Sequence, residues 1–206
     1  MKFTQIPSDT FSSLQLNAGV LLTEFDPKTA TLTKDAIVGA TSGGVEFKAE
    51  PSYTDFGEDI DNCPTNMAEL KRLDSVEVTI SGTFVTVTPS SVRAAMGAAD
   101  VDAGDATHIV PRGDIAASDF RDLWWVGDYS DKNGDKNGGF VAIHMMKTLS
   151  TGGFALTSDN KAKGQFDFEF TAHYSMDDPT AIPYEVYVKS GTDEAAAKAS
   201  TSAVNG

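Results

Sequence analysis

Apolar and polar residues alternate with a period of two along much of this chain. The most regular stretch is 165–176, where Phe166, Phe168, Phe170, Ala172, Tyr174 and Met176 fall on one face and Asp167, Glu169, Thr171, His173 and Ser175 on the other. A period of two is the signature of a half-buried strand, because successive side chains leave opposite faces of a sheet. The same reading holds for Val76, Val78, Ile80, Gly82 and Phe84, set against Glu77, Thr79, Ser81 and Thr83. The apolar phase then moves to Val85 and Val87, which predicts a bulge or a change of environment. Shorter apolar runs at 14–22, 120–126, 140–149, 154–157 and 184–188 predict further strands, with a polar, edge-like one at 29–37 and one more at 108–110 inside an acidic loop, 98–114.

One helix interrupts the pattern. Residues 88–97 carry Ser90 and Ser91 as possible caps and Gly97 as a stop, and a shorter helix is predicted at 66–73, where Met67, Leu70 and Leu73 have helical spacing. Between the strand that holds Val45, Phe47 and Ala49 and the strand starting near Ser75 lie about two dozen irregular residues, far beyond the roughly 4–6 of an ordinary connection. Tyr53, Phe56 and Ile60 inside this loop are unfavourable in water, and disordered segments lack such groups. A loop of this kind meets a partner. The expected fold is therefore all-β, a β-sandwich or partial barrel with one short helix and a long inter-strand loop. It divides into an N-terminal arm at 1–13, a single β domain at 14–190 and a flexible Ala-rich tail at 191–206.

Charge narrows the function classes. With 16 Lys and Arg against 30 Asp and Glu, the formal net charge is −14, which opposes gripping nucleic acid, since phosphate binding needs clustered cations. The single cysteine, Cys63, excludes an internal disulfide framework and reads as an ordinary small side chain without a basic activator. No secretion signal is expected at the N-terminus, and no run of about 18 apolar residues predicts a membrane span.

Candidate chemistry is sparse. In 128–139, Asp131, Asn133, Asp135 and Asn137 alternate like calcium ligands, but an EF-hand counted from Asp131 would need Gly where Lys136 stands and Glu where Ala142 stands. An Asn-Gly-rich turn between two strands is the better reading. His108, His144 and His173 lack metal-site spacing, no phosphate loop or Gly-x-Ser-x-Gly elbow occurs, and pairs such as Glu58-Asp59 and Asp177-Asp178 read as solvated. No catalytic, cofactor or metal site is predicted, so the chain is not expected to be an enzyme. Trp124 and Trp125 are adjacent on a strand, so one indole should fill the core while the other points outward, as an interface anchor or under the chain's own loops.

Several segments, in order and spacing, resemble a known family. They include Gly39-Ala-Thr-Ser-Gly-Gly-Val-Glu-Phe, Tyr53-Thr-Asp-Phe-Gly-Glu-Asp-Ile-Asp-Asn, Leu70-Lys-Arg-Leu-Asp-Ser and Ser81-Gly-Thr-Phe-Val-Thr-Val-Thr. Pro111-Arg-Gly-Asp-Ile, Asp119-Phe-Arg-Asp-Leu-Trp-Trp-Val-Gly-Asp-Tyr-Ser, Lys163-Gly-Gln-Phe, His173-Tyr-Ser-Met and Ile182-Pro-Tyr-Glu-Val-Tyr continue the match. Over about 14–190 the chain resembles the major tail proteins, or tail tube proteins, of long-tailed bacteriophages and prophages of Gram-positive bacteria. The resemblance implies a structural protein whose hexameric rings stack into a hollow tube for genome ejection, with strands of six subunits sharing an inner barrel and a long loop reaching the next ring. It further implies assembly in the host bacterial cytoplasm, residence in the virion tail, and contacts with tail terminator, baseplate or tail-tip and tape measure proteins. DNA would pass through without specific binding.

On this expectation Tyr53, Asp55, Phe56, Glu58, Asp59, Ile60 and Asp61 form the ring-to-ring interface, with Glu50 joining the acids that would pair with Lys71 or Arg72 of a neighbour. Asp167 and Glu169 would face the lumen, where negative charge repels DNA. The alternatives are a soluble β-sandwich binding module for a receptor or carbohydrate, with 50–65 as its combining site, and a tube-forming secretion-system protein.

Overall fold

The computed structural model describes residues 14–129 and 139–189. The arm at 1–13, most of the Asn-Gly-rich turn and the tail at 191–206 lie outside the described residues. Eleven strands and one α-helix follow in the order β1 (Gln15–Leu22), β2 (Ile37–Gly39), β3 (Thr41–Asp55), β4 (Lys71–Phe84), α1 (Pro89–Met96), β5 (Ala99–Asp102), β6 (Asp105–Pro111), β7 (Arg121–Tyr129), β8 (Phe140–Ser150), β9 (Leu156–Thr157), β10 (Gln165–Thr171) and β11 (Tyr184–Lys189). All pairings are antiparallel.

Two sheets face one another and share β8. Its first part runs between β7 and β11, giving the order β2-β1-β7-β8-β11, while its last residues, Leu149 and Ser150, pair with β10 and so continue into β10-β4-β3. The arrangement is sandwich-like and does not close into a barrel within one chain. The main core fills the space between the sheets with Val78, Ile80, Phe84, Phe166, Phe168, Phe170, Ile143 and Met145, capped by Ala95 of α1. Its centre is aromatic: the ring centroids of Phe84 and Phe168 are 4.1 Å apart, and Phe166 and Phe170 lie 5.3 and 5.5 Å from them respectively. The period-two reading of β4 and of 165–171 is thus borne out. Gly82 belongs to it, since a Cβ there would sit 2.9 Å from Phe168 Cζ.

Within the β2-β1-β7-β8-β11 sheet, strand β7 is covered on both faces. Along β7, Leu123 and Trp125 face the main core, whereas Trp124 and Val126 face a second cluster with Leu22, Phe140 and Ala142. The lid over that second face is the segment 23–36, whose Phe25 ring lies 5.7 Å from Trp124 and 5.3 Å from Phe140. Both indoles are accounted for within the chain: Trp124 is buried, and Trp125 is half-buried with its N–H donating to the Ala18 carbonyl at 3.0 Å. Neither is an outward anchor.

The helix forms where expected, with the cap moved to Thr88. Thr88 Oγ1 accepts the Ser91 N–H at 3.1 Å, Ser91 Oγ accepts the Thr88 N–H at 2.9 Å, and the helix stops at Gly97. Several local expectations are corrected. The 29–37 strand is a loop ending in a 3-10 turn, Lys34–Ala36, and the predicted helix at 66–73 is reduced to the turn Ala68–Leu70. The acidic loop holds a hairpin, β5–β6, rather than one strand. Strand β10 stops at Thr171: Ala172 is still buried, but Tyr174 turns away to bond β4 and Met176 is fully exposed. Gly43 and Gly44, with φ of 81° and 93°, form a bulge inside β3.

Removing the ring of Phe168 leaves a void between Phe84 and Phe170 that packed neighbours cannot fill. Phe168→Ala is expected to destabilise the chain by about 3–5 kcal/mol, read as a fall in the urea midpoint at unchanged slope. A loss below about 1 kcal/mol would place the ring outside the core.

Candidate functional site

The long inter-strand loop is shorter than its sequence suggests, because its flanks are strands. β3 pairs with β4 all the way from Thr41↔Phe84 to Asp55↔Lys71, leaving only 56–70 as the loop. Pro51 is compatible with this ladder because β3 is an edge strand, where a missing N–H breaks no pairing. β10 supports β4 only at Thr79–Phe84, and the last tie to the body is the Val76 N–H, which donates to Tyr174 Oη at 2.8 Å. Beyond that point the hairpin continues as a two-stranded ribbon. Four residues of β3, 52–55, and five of β4, 71–75, give it an extension of about 14 Å before the tip.

The tip is organised by its own hydrogen bonds. The carboxylate of Asp55 accepts the N–H of Gly57 at 2.9 Å and of Asn66 at 2.6 Å, gathering both ends of the loop. These two backbone bonds, helped by Lys71, hold its pKa below the usual aspartate value. Phe56 N–H donates to the Leu70 carbonyl at 3.0 Å, and Lys71 donates from Nζ to Asn66 Oδ1 while lying 5.6 Å from the Tyr53 ring centroid. Asn62 and Asn66 adopt the positive φ that the tight path requires, at 62° and 67°.

This order presents apolar groups to solvent. Tyr53 is 54% exposed, Phe56 51% and Ile60 50%, with Met67 and Leu73 beside them. Tyr53 sits on β3, not in the loop. Glu58, Asp59 and Asp61 surround these groups without a hydrogen bond or ion pair among the described residues. Asp55 differs from them: its carboxylate is consumed inside the tip, so it shapes the tip and does not present a free charge. Glu50 likewise pairs within the chain, to Lys48 at 2.7 Å, and Arg72 lies 4.0 Å from Asp74.

Asp167 and Glu169 occupy another place, at the Thr83 and Ser81 levels of β4, about 34 Å along the strand from the tip for Glu169. Both are exposed, as their alternation demanded; Asp167 accepts from the Thr83 hydroxyl at 2.7 Å and Glu169 from the Thr151 hydroxyl at 2.9 Å. Register adds neighbours that the linear pattern did not reveal. Glu46 lies across from Ser81, Lys48 across from Thr79, and Glu50 across from Glu77, so that one face of β10-β4-β3 carries five carboxylates and one ammonium. Lys48 feels this surplus: the hydrogen bond and charge of Glu50, then Glu46 and Glu77, raise its pKa.

The histidines have separate surroundings. His144 stacks on Trp124 at 4.0 Å and lies 3.0 Å from Asp122, His108 is 3.6 Å from Asp102, and His173 is 3.1 Å from the Lys147 carbonyl. Among the described residues no group of three or more His, Cys, Asp or Glu is placed to hold a metal. Nor is any helix long and apolar enough to cross a membrane.

Because Asp55 joins both ends of the tip, Asp55→Ala should free the Gly57 and Asn66 amides to exchange with deuterium while the amides of β4 and β10 stay protected. Acid should do the same to the wild type. A carboxyl whose folded pKa is lowered stabilises the tip above about pH 3.9, and that contribution is lost as the pH falls through the lower folded value. Unchanged exchange at both amides in the variant would show that the tip is held otherwise.

Compared with known proteins, the chain matches no family model, and no curated protein is significantly similar to it in sequence.

Proposed function

We propose that the chain is a structural subunit that assembles with copies of itself into stacked rings, forming a tail tube of the long-tailed phage type through which a genome passes. The observation that carries this is the β3–β4 ribbon, which leaves its own core and ends in an ordered tip with Tyr53, Phe56 and Ile60 half exposed. An isolated two-stranded hairpin is marginal in water, and clustered exposed apolar groups mark surfaces that are covered by a partner. A second copy supplies that cover in the proposed tube.

Two further features agree with assembly. The outer edge of β3 and the outer edge of β11, where Val186 and Val188 are 50% and 60% exposed, have no partner strand among the described residues. Ring closure removes such edges, which otherwise invite uncontrolled pairing. The acidic face with Asp167, Glu169, Glu46, Glu50 and Glu77 suits a lumen, since DNA phosphates are repelled there and no cation row holds them. Hexameric rings and a shared inner barrel follow from the family resemblance.

Asp55 and Lys71 face each other across the hairpin, so replacing residues 56–70 by Asn-Gly should close it with a two-residue turn. The trimmed chain is expected to fold and to form single rings but no tubes in electron micrographs, whereas the full chain forms both. Long tubes from the trimmed chain would exclude the tip as the ring-to-ring connector. A full-length chain that sediments as a monomer at every concentration and salt would favour a β-sandwich binding module for a receptor or carbohydrate. In a map of the tube, Asp167 and Glu169 should line the bore; finding both on the outside overturns the lumen assignment.

A further inference from the structure

Three of the chain's four arginines gather at one place: Arg93 on α1, Arg112 just after β6 and Arg121 at the start of β7. They are not equivalent. Arg112 is engaged, with Nη2 donating to both oxygens of Asp119 at 2.6 Å, while Asp119 also accepts the Ala116 N–H at 2.8 Å. Arg112 Nε lies 3.0 Å from Asp100 Oδ2, an ion-pair contact whose N–H is not aligned for a hydrogen bond. Asp122 is engaged too, 3.0 Å from His144 Nε2 and accepting the Lys147 N–H at 3.1 Å.

The other two guanidiniums keep free donors. Arg93 uses only Nε, on the Ala99 carbonyl at 3.0 Å, and Arg121 has no hydrogen bond or ion pair among the described residues. Both line a partly enclosed cavity of about 50 Å³, walled by Val38, Leu123, Ser90 and Thr148 and also by Asp119 and Asp122, whose carboxylates are already engaged by Arg112 and by His144 and the Lys147 N–H. Burial and the charge of Arg93 lower the pKa of Arg121, against the opposing pull of Asp119. The formal charges around the cavity balance, and the guanidiniums of Arg93 and Arg121 are its groups that still have N–H donors to give.

The complementary surface is at the other end of the hairpin, where Glu58, Asp59 and Asp61 are exposed and lack partners among the described residues, interleaved with Phe56 and Ile60. We propose that the Arg93–Arg121 cavity is the seat on a second copy for the hairpin tip, with a carboxylate of Glu58, Asp59 or Asp61 entering between the guanidiniums. Arginine forks bind carboxylates through paired, charge-assisted bonds, and Phe56 and Ile60 would cover the cavity's apolar rim. Paired charge of this kind sets which surfaces meet and in what register. The inference rests on the assembly proposed above and adds the receiving residues.

A charge exchange tests it. The cavity variant, Arg93→Glu with Arg121→Glu, and the tip variant, Glu58→Lys with Asp59→Lys and Asp61→Lys, are each expected to form rings yet need roughly tenfold or more the wild-type concentration to form tubes. Mixed in equal amounts the two variants should recover tubes, because each supplies the surface that the other has lost. Should the reversed cavity not fold by circular dichroism, Arg93→Gln with Arg121→Gln reads the same loss of stacking. If either variant makes tubes at the wild-type concentration, or the mixture recovers none, the cavity is not the seat. If wild-type chains make neither rings nor tubes, the assembly proposal fails first and the seat falls with it.

Discussion

The placement of β4 between β3 and β10 is the constraint on which the rest depends. Its inward residues Val78, Ile80 and Phe84 meet Phe166, Phe168 and Phe170 in the centre of the core. Its outward residues share in the acidic face, and its first five residues, 71–75, run beyond the body as one side of the ribbon. One strand thereby fixes three things at once. A slip of one residue in its register would turn the Phe row to solvent and the carboxylates into the core, so burial of the aromatic face locks the positions of everything else on the strand.

The ribbon and the body are stabilised differently. In the body, side chains are excluded from water on two sheets, and even the surplus face of β7 is covered by the segment 23–36. In the ribbon, cross-strand pairing and the Asp55 carboxylate supply the order, while large apolar side chains remain in contact with water. A ribbon ordered by hydrogen bonds but unsatisfied in burial would lose little further ordering entropy on docking in the proposed assembly. In the proposed assembly, the exposed carboxylates around the apolar groups would disfavour tip-to-tip pairing, because like charges repel.

How much of this was legible in sequence depends on the range of the interactions. The alternation in 76–84 and 165–171 was plain, as each residue's face is set by its immediate neighbours. The helix at 88–97 was plain for the same reason, although Thr88 proved the better cap because Ser91 returns its hydrogen bond. The helical spacing of Met67, Leu70 and Leu73 misled, since Lys71 onward is taken up by pairing with β3, which no local pattern expresses. Met176 misled in the opposite way: the alternation continues past the point where β10 loses its partner strand.

Of the candidate site, the sequence alone determined that Tyr53, Phe56 and Ile60 are large apolar residues set in an acidic stretch, that Asp167 and Glu169 lie opposite the Phe row, and that the chain as a whole is acidic. Composition and strand period are local properties, so they survive without coordinates. Only the tertiary structure decided that Tyr53 belongs to a strand, that Asp55 is spent on the tip while Glu58, Asp59 and Asp61 are free, and that both tryptophans are sheltered. It also decided that Glu46 and Glu77 join the acidic face and that Arg93 and Arg121 meet at one cavity. Those outcomes arise from register and from contacts between residues far apart in the chain, where the free energy of burial and of charge pairing is assigned by the fold and not by sequence neighbours.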